Sequence, residues 1–268
     1  MLNKLLVADQ TNKIDKVDSI TDKEFLTNYA LKSKPVLLTG IIDTWKATKE
    51  WSFDYFKEKY GDTIITIHTC KPPTNTELYE TSLGEYIDYI KKGDFEDNPW
   101  YCDWTFTENT PEISEEYQAI TAFGDNWIDN IPKGILNEPK WIYIGPKGSG
   151  TSLHIDFCMT SAWNAVIVGQ KKWAFFSPDQ APYLYDGEVD VFNPDFEKFP
   201  LFKKAQPIIV TQKAGEVMYT PSGWWHQVLN EESGISITEN YINSTNADVS
   251  LWPYLKSVIK KNGWDVQD

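Results

Sequence analysis

Two textures divide the chain. Up to about residue 140, apolar positions recur at helical spacing or fall in single short runs; from Trp141 onward they alternate with polar ones in short stretches. In the first part, Thr21-Asp22-Lys23-Glu24 reads as a capping box. Thr21 is the N-cap, Glu24 lies three residues on, and Phe25, Leu26 and Tyr29 form the apolar face of the helix that follows. A short buried strand is predicted over 35–40, ending at Gly40. Helices are predicted from Ser52 to Tyr60, stopped by Gly61, and from Ser82 to Lys92, with Leu83, Tyr86, Ile87 and Ile90 on one side and Gly93 after it. Residues 63–69 and 100–106 read as strands, and 111–139 as irregular chain with short helical turns. Residues 1–20 are polar and aperiodic, a loosely held lead-in.

The second texture predicts strands at 141–145, 152–156, 161–168, 172–176, 208–211, 216–220, 226–230 and 235–242, with Gly or Pro in many of the gaps. Eight short strands with turn signals imply a mainly β fold with peripheral helices, its core (140–242) a double-stranded β-helix of the cupin or jelly-roll type. A long aromatic, proline-containing insert at 177–207 interrupts them; loops of that length are uncommon unless functional, so a lid or a rim of the substrate cleft is expected. Residues 248–261 read as a closing helix with Leu251, Tyr254, Leu255 and Ile259 on one side and Pro253 in its first turn or so. A lead-in (1–20), a single catalytic-type domain (21–246) and a C-terminal helical segment (247–268) is the expected organisation.

Composition sharpens this picture. Twelve Trp, 14 Tyr and 13 Phe suit a barrel filled with large side chains. A net charge of −14 argues against nucleic acid as the main partner, because phosphate binding needs a basic face. Cys70, Cys102 and Cys158 are widely spaced, odd in number and without a CxxC pattern, so a reducing, cytoplasmic setting is expected, with a nuclear one left open. The first ten residues carry too short an apolar run for a signal peptide, and no run approaches the length of a membrane span. The chain has no arginine, so all 25 basic residues are lysines and any fixed cation in a site must be a lysine or a metal.

Only three histidines occur, His68, His154 and His226. His154 and Asp156 are two apart in a predicted strand, so they project to the same face. His226 lies in a later strand run. Two histidines and one carboxylate with open positions form the facial triad of non-haem Fe(II) oxygenases, although the ligand types also suit a zinc or manganese cupin without redox chemistry. An inert buried His–Asp pair is the bland alternative. Lys171, Trp173 and Phe175 share a face while Lys172 faces away. Lys171 is thus either a carboxylate clamp or a turn lysine pointing to water, and the pattern does not separate the two. Ser236, Thr238 and Asn240 form a polar row on the last core strand, and Asn164 sits in an apolar run; buried, each needs a partner. A lone His68 reads as structural, and Cys158 as packing. Trp224 and Trp225 read as shapers of the barrel mouth. The acidic runs at 112–116 and 186–190 read as solvated faces; if the second lines the insert, it would attract a lysyl or arginyl substrate.

The stretches Gly148-Ser-Gly-Thr-Ser-Leu-His-Ile-Asp156, Thr160-Ser-Ala-Trp-Asn-Ala165, Gly169-Gln-Lys-Lys-Trp173, Pro221-Ser-Gly-Trp-Trp-His226 and Ile237-Thr-Glu-Asn240 resemble the Jumonji-C family of Fe(II)- and 2-oxoglutarate-dependent oxygenases. They are most similar to its small hydroxylase branch, the group containing the phosphatidylserine-receptor-like lysyl hydroxylase. The resemblance implies that His154, Asp156 and His226 bind iron and that Lys171 holds the distal carboxylate of 2-oxoglutarate. It places Asn164, Thr238, Tyr101, Asn240 and Thr151 beside that co-substrate. It implies oxidative decarboxylation to succinate and CO2 coupled to hydroxylation, with O2 consumed. The expected target is an amino-acid side chain, lysyl first, in a protein, peptide or small amino-acid-like molecule. N-methyl-lysine or -arginine demethylation, a small-molecule or natural-product hydroxylase and a non-catalytic or non-oxidative metal cupin are the competing readings. Phe157-Cys158-Met159 departs from the small, proline-containing segment of those relatives, and their basic tail is missing. A homodimer through the closing helix is expected.

Overall fold

In the computed structural model, residues 13–70, 77–95, 98–130 and 139–261 are described. Most of the lead-in (1–12) and the side chain of Ile259 lie outside them. The first described element is a strand, β1 (Asp15–Asp18), which pairs in parallel with β2 (Val36–Thr39). Sequence pattern missed it because an edge strand of four polar-rich residues carries little hydrophobic signal; besides its ladder to β2 and the packing of Val17 on the core, Lys16 Nζ lies 2.5 Å from Glu216 Oε1. The Thr21–Glu24 capping box is formed in full and starts α1 (Asp22–Phe25), which continues as a wider π-type turn over Leu26–Ala30. Such a cap contributes about 1 kcal/mol.

Two helices follow, the short α2 (Ala47–Glu50) and α3 (Phe53–Tyr60), capped by Ser52. Gly61 ends α3 in a right-handed conformation, so it is not the left-handed stop the sequence suggests; a Cβ there would collide with the Lys57 carbonyl. The strands β3 (Ile64–Thr69) and β4 (Leu78–Ser82) precede α4 (Leu83–Lys92), which has its own Ser82–Glu85 capping box and a left-handed Gly93 at its end. Then come β5 (Trp100–Trp104) and a run of short 3-10 turns up to Asn130.

The alternating half folds as β6 (Lys140–Gly145), β7 (Gly150–His154), β8 (Ser161–Val168), β9 (Gln170–Phe176), β10 (Ile208–Lys213), β11 (Val217–Thr220), β12 (Trp225–Asn230) and β13 (Gly234–Tyr241). They form two sheets. The larger runs β1-β2-β11-β8-β13-β6-β5-β3-β4 and the smaller β10-β9-β12-β7. Sequence alternation assigns the faces. Ile235, Ile237 and Tyr241 of β13 join the aromatic core between the larger sheet and the helices, where Trp45, Phe56, Tyr86 and Trp163 are also buried. The opposite faces of the two sheets enclose Leu37, Trp173, Phe175, Met218 and Val228. No described helix is long and apolar enough to cross a membrane.

The insert is a packed layer. Its turns Pro178–Tyr183, Tyr185–Gly187 and Pro200–Lys204 bury Leu184, Val189, Val191, Phe199 and Phe202 against Leu153, Ala174 and Phe176 on the outer face of the smaller sheet. The lid or cleft rim expected from its length is therefore replaced by a cover over a sheet face that would otherwise be wet. The closing helix α5 (Leu251–Lys261) has Leu251, Tyr254 and Leu255 half-buried.

Candidate active site

The strand carrying His154 ends at that residue. Asp156 lies just beyond it, at φ −56° and ψ 144°, and begins the short turn Phe157–Met159. The same-strand argument thus overextends by two residues, yet the extended backbone at Asp156 keeps both side chains on one side. His226 on β12 is the direct cross-strand partner of His154, with ring centroids 4.1 Å apart. One donor atom from each of His154, Asp156 and His226 falls within 4.8 Å of the others.

The hydrogen bonds of these groups fix which atoms are available. His154 Nδ1 lies 2.8 Å from the Ser152 carbonyl and His226 Nδ1 3.1 Å from the Trp224 carbonyl. Each Nδ1 therefore donates, leaving Nε2 with its lone pair. Burial, reinforced by His154, pushes His226 down to about 4, so its imidazole is neutral at ordinary pH. Asp156 Oδ2 is buried with no hydrogen-bond partner. An unmatched carboxylate oxygen beside two imidazoles that both commit Nδ1 to a backbone carbonyl is a donor set that fits a divalent metal, and two nitrogens with one oxygen fit the Fe(II) facial triad.

The same cavity is lined by Tyr101, Thr151, Asn164, Lys171 and Thr238. Lys171 is 4% exposed, which removes the turn-lysine alternative. Its Nζ donates to Tyr101 Oη at 3.0 Å and to Asn230 Oδ1 at 2.9 Å, and no carboxylate among the described residues pairs with it. Burial pulls it down to about 7. Lys172, on the other face of β9, lies over the Phe192 ring of the insert. Gly145 makes the clamp possible, because a Cβ there would collide with the Tyr101 ring and Ser149 Oγ. Tyr101 also bonds Thr151 and stacks on Tyr143 at 5.7 Å. Asn164 Nδ2 donates to Thr238 Oγ1 at 2.7 Å, leaving its buried Oδ1 without a partner.

Asn240 is drawn elsewhere: its Nδ2 donates to Thr160 Oγ1 at 2.8 Å, and it does not line the cavity. Sequence reasoning passed over Asn230 and Tyr143. Asn230 is paired with Lys171 in the β12–β9 register, and Tyr143 lies on the inner face of β6; period-two counting from His226 and from Trp141 would have found both. His68 packs edge-on to Tyr101 and lies 3.5 Å from Asp103. The acidic insert does not serve the cavity through Asp190, which accepts from Gln227 on the outer face of β12. Cys158 and Met159 both adopt positive φ, 49° and 54°. That strained turn is pinned at the Met159 carbonyl, which accepts from the Ser222 and Ser250 hydroxyls.

Residues 22–248 match the family described as "Cupin-like domain". The chain is similar to "Arginine-specific demethylase JMJ22" of Arabidopsis thaliana, at 36% identity over 88% of the chain and 47% of the relative. It is similar to "2-oxoglutarate and iron-dependent oxygenase JMJD4" of Gallus gallus, at 31% over 91% of the chain and 63% of the relative. It is also similar to "Bifunctional arginine demethylase and lysyl-hydroxylase psr-1" of Caenorhabditis elegans, at 30% over 90% and 64%. The chain thus spans less than two thirds of each of these relatives.

Proposed function

The chain belongs to the cupin-like domain family, and from that premise we propose that it is an Fe(II)- and 2-oxoglutarate-dependent oxygenase that hydroxylates an amino-acid side chain. The observation that carries this reading is a buried lysine without a carboxylate partner among the described residues, in the same cavity as two imidazoles and an unmatched carboxylate oxygen. A dianionic 2-oxo acid answers both needs. The metal ligands would take one end and Lys171 the other.

His154, Asp156 and His226 would hold Fe(II). Bound there with 2-oxoglutarate, the metal supplies an O2-derived oxidant able to attack a C–H bond, with succinate and CO2 as co-products. The rest is the work of the chain. Ser152 and Trp224 carbonyls keep each imidazole in the tautomer that presents Nε2. Asn230 and Tyr101 orient the Lys171 ammonium, leaving it one further N–H to give to a carboxylate. Asn164, through its open Oδ1, and Thr238 supply polar contacts from the larger sheet. Trp173 and Phe175, stacked at 5.4 Å and packed on the His226 ring, keep that wall dry.

Relatives named for demethylation and for lysyl hydroxylation both occur. Hydroxylation is put first, with a lysyl side chain in a protein or peptide as the expected target. A cytoplasmic location is part of the proposal, supported by three scattered cysteines. So is a homodimer through α5, supported by the half-exposed Trp252 on that helix and Val249 just before it. The test is succinate formation by the purified protein from 2-oxoglutarate. Dependence on both Fe(II) and O2 supports the reading; turnover without O2, or none with both supplied, refutes it.

A further inference from the structure

Tyr143 lines the metal cavity together with His154 and Asp156, and it has no place in the mechanism above. In the β5–β6 register its direct partner is Asp103, so the two side chains stand on the same inner face. The phenol is raised by burial and by the carboxylates of Asp103 and Asp156, so it remains a protonated hydroxyl. The Asp103 side chain is 48% exposed, and its ion-pair contact is with His68 at 3.5 Å. Two residues along β6, half-buried Trp141 meets Phe157 edge-on at 6.0 Å, and Phe157, which follows Asp156 directly, is 38% exposed.

This arrangement has a defined preference. Asp103 does not line the cavity itself but stands beside Tyr143, which does, so a side chain that reaches Tyr143 past β5 meets a half-open carboxylate, then a hydroxyl whose oxygen accepts a hydrogen bond. An apolar stem running past them has the aromatic faces of Trp141 and Phe157 to lie on. An anionic side chain is repelled by Asp103, and a neutral apolar group gains nothing from this carboxylate, which keeps only the His68 contact it already has. A cationic head on a flexible stem satisfies all three surfaces. Lys171 does not compete for Asp103: its hydrogen bonds go to Tyr101 and Asn230.

We propose that Asp103 and Tyr143 are the specificity-determining pair of this site, Asp103 reading a cationic head group of the target side chain and the Tyr143 hydroxyl positioning it. The assignment rests on the oxygenase reading above. Cation recognition is thereby moved from the insert to β5 and β6.

Three peptides identical except for a central Lys, Arg or norleucine test it, with the Fe(II) protein, 2-oxoglutarate and O2, reading succinate and one-oxygen mass gain of the peptide. The expected result is stimulation by the Lys or Arg peptide and none by norleucine. In Asp103→Asn, kcat/KM for the cationic peptide should fall about 10- to 100-fold, mostly through KM. Asp103→Glu should recover part of it. Tyr143→Phe should lower kcat more than it raises KM, because the head group is still held but less well placed. Anaerobic binding of 2-oxoglutarate by the same variants separates the two levels. If the wild type binds 2-oxoglutarate but treats the three peptides alike, or Asp103→Asn keeps its kcat/KM, the pair is not the reader and the oxygenase reading stands. If the wild type does not bind 2-oxoglutarate, both fall together.

Discussion

His154 and His226 face each other as direct cross-strand partners, their rings 4.1 Å apart, with each Nδ1 committed to a backbone carbonyl. Two imidazoles held this close, beside a carboxylate oxygen with no partner, are preorganised for a cation. Asp156→Ala should therefore abolish Fe(II)-dependent turnover and weaken metal binding by at least an order of magnitude. Asp156→Asn should lose the metal too, while the metal-free protein melts no lower than wild type, because the carboxylate oxygen it replaces has no partner to lose. Calorimetric metal titration and thermal melts check both; full metal affinity in either variant would contradict the assignment.

Lys171 is the second anchor. Removing the ammonium in Lys171→Met should cost 2-oxoglutarate binding about 2 kcal/mol or more, with metal affinity unchanged. Equilibrium binding of the co-substrate to the Mn(II)-loaded protein measures this.

The same lysine makes a pH prediction. Its folded value, about 7, lies below its ordinary 10.5 because burial disfavours the charge. Between those two values the unfolded chain binds the proton and the folded chain does not. Stability of the ligand-free protein should therefore rise with pH from about 7 toward 10, by at most about 1.4 kcal/mol per pH unit. Below pH 7 this contribution is flat. Urea unfolding across that range reports the slope, which Lys171→Met should remove and saturating 2-oxoglutarate should reduce.

Gly145 is required by its neighbour rather than by its own backbone. Gly145→Ala would push its methyl into the Tyr101 ring and Ser149 Oγ. Because Tyr101 holds Lys171, 2-oxoglutarate affinity should drop several-fold while metal affinity stays. Parallel titrations of metal and co-substrate distinguish this from general unfolding.

What the sequence disclosed follows from where hydrophobic periodicity is strong. The polar row Ser236–Thr238–Asn240 and the split between Lys171 and Lys172 were legible because a strand's period of two is rigid. β1 and β4 were not legible: they lie at or near sheet edges, are short, and carry mostly polar or exposed positions. The insert was misjudged because length and aromatic content do not say which sheet face it covers. Asn240 was misplaced since its amide finds Thr160, a contact between residues 80 apart that no local pattern contains. Asp103 stayed unnoticed because its pairing with Tyr143 depends on the β5–β6 register, which joins segments distant in the sequence.

The most direct test is an anaerobic titration of the metal-free protein with Fe(II) and then 2-oxoglutarate, followed by visible absorption, in wild type and Lys171→Ala. A weak visible charge-transfer band that grows in the wild type and is diminished in the variant is the predicted result. A wild type that binds Fe(II) yet develops no band on adding 2-oxoglutarate would contradict the account and leave a metal cupin of another class.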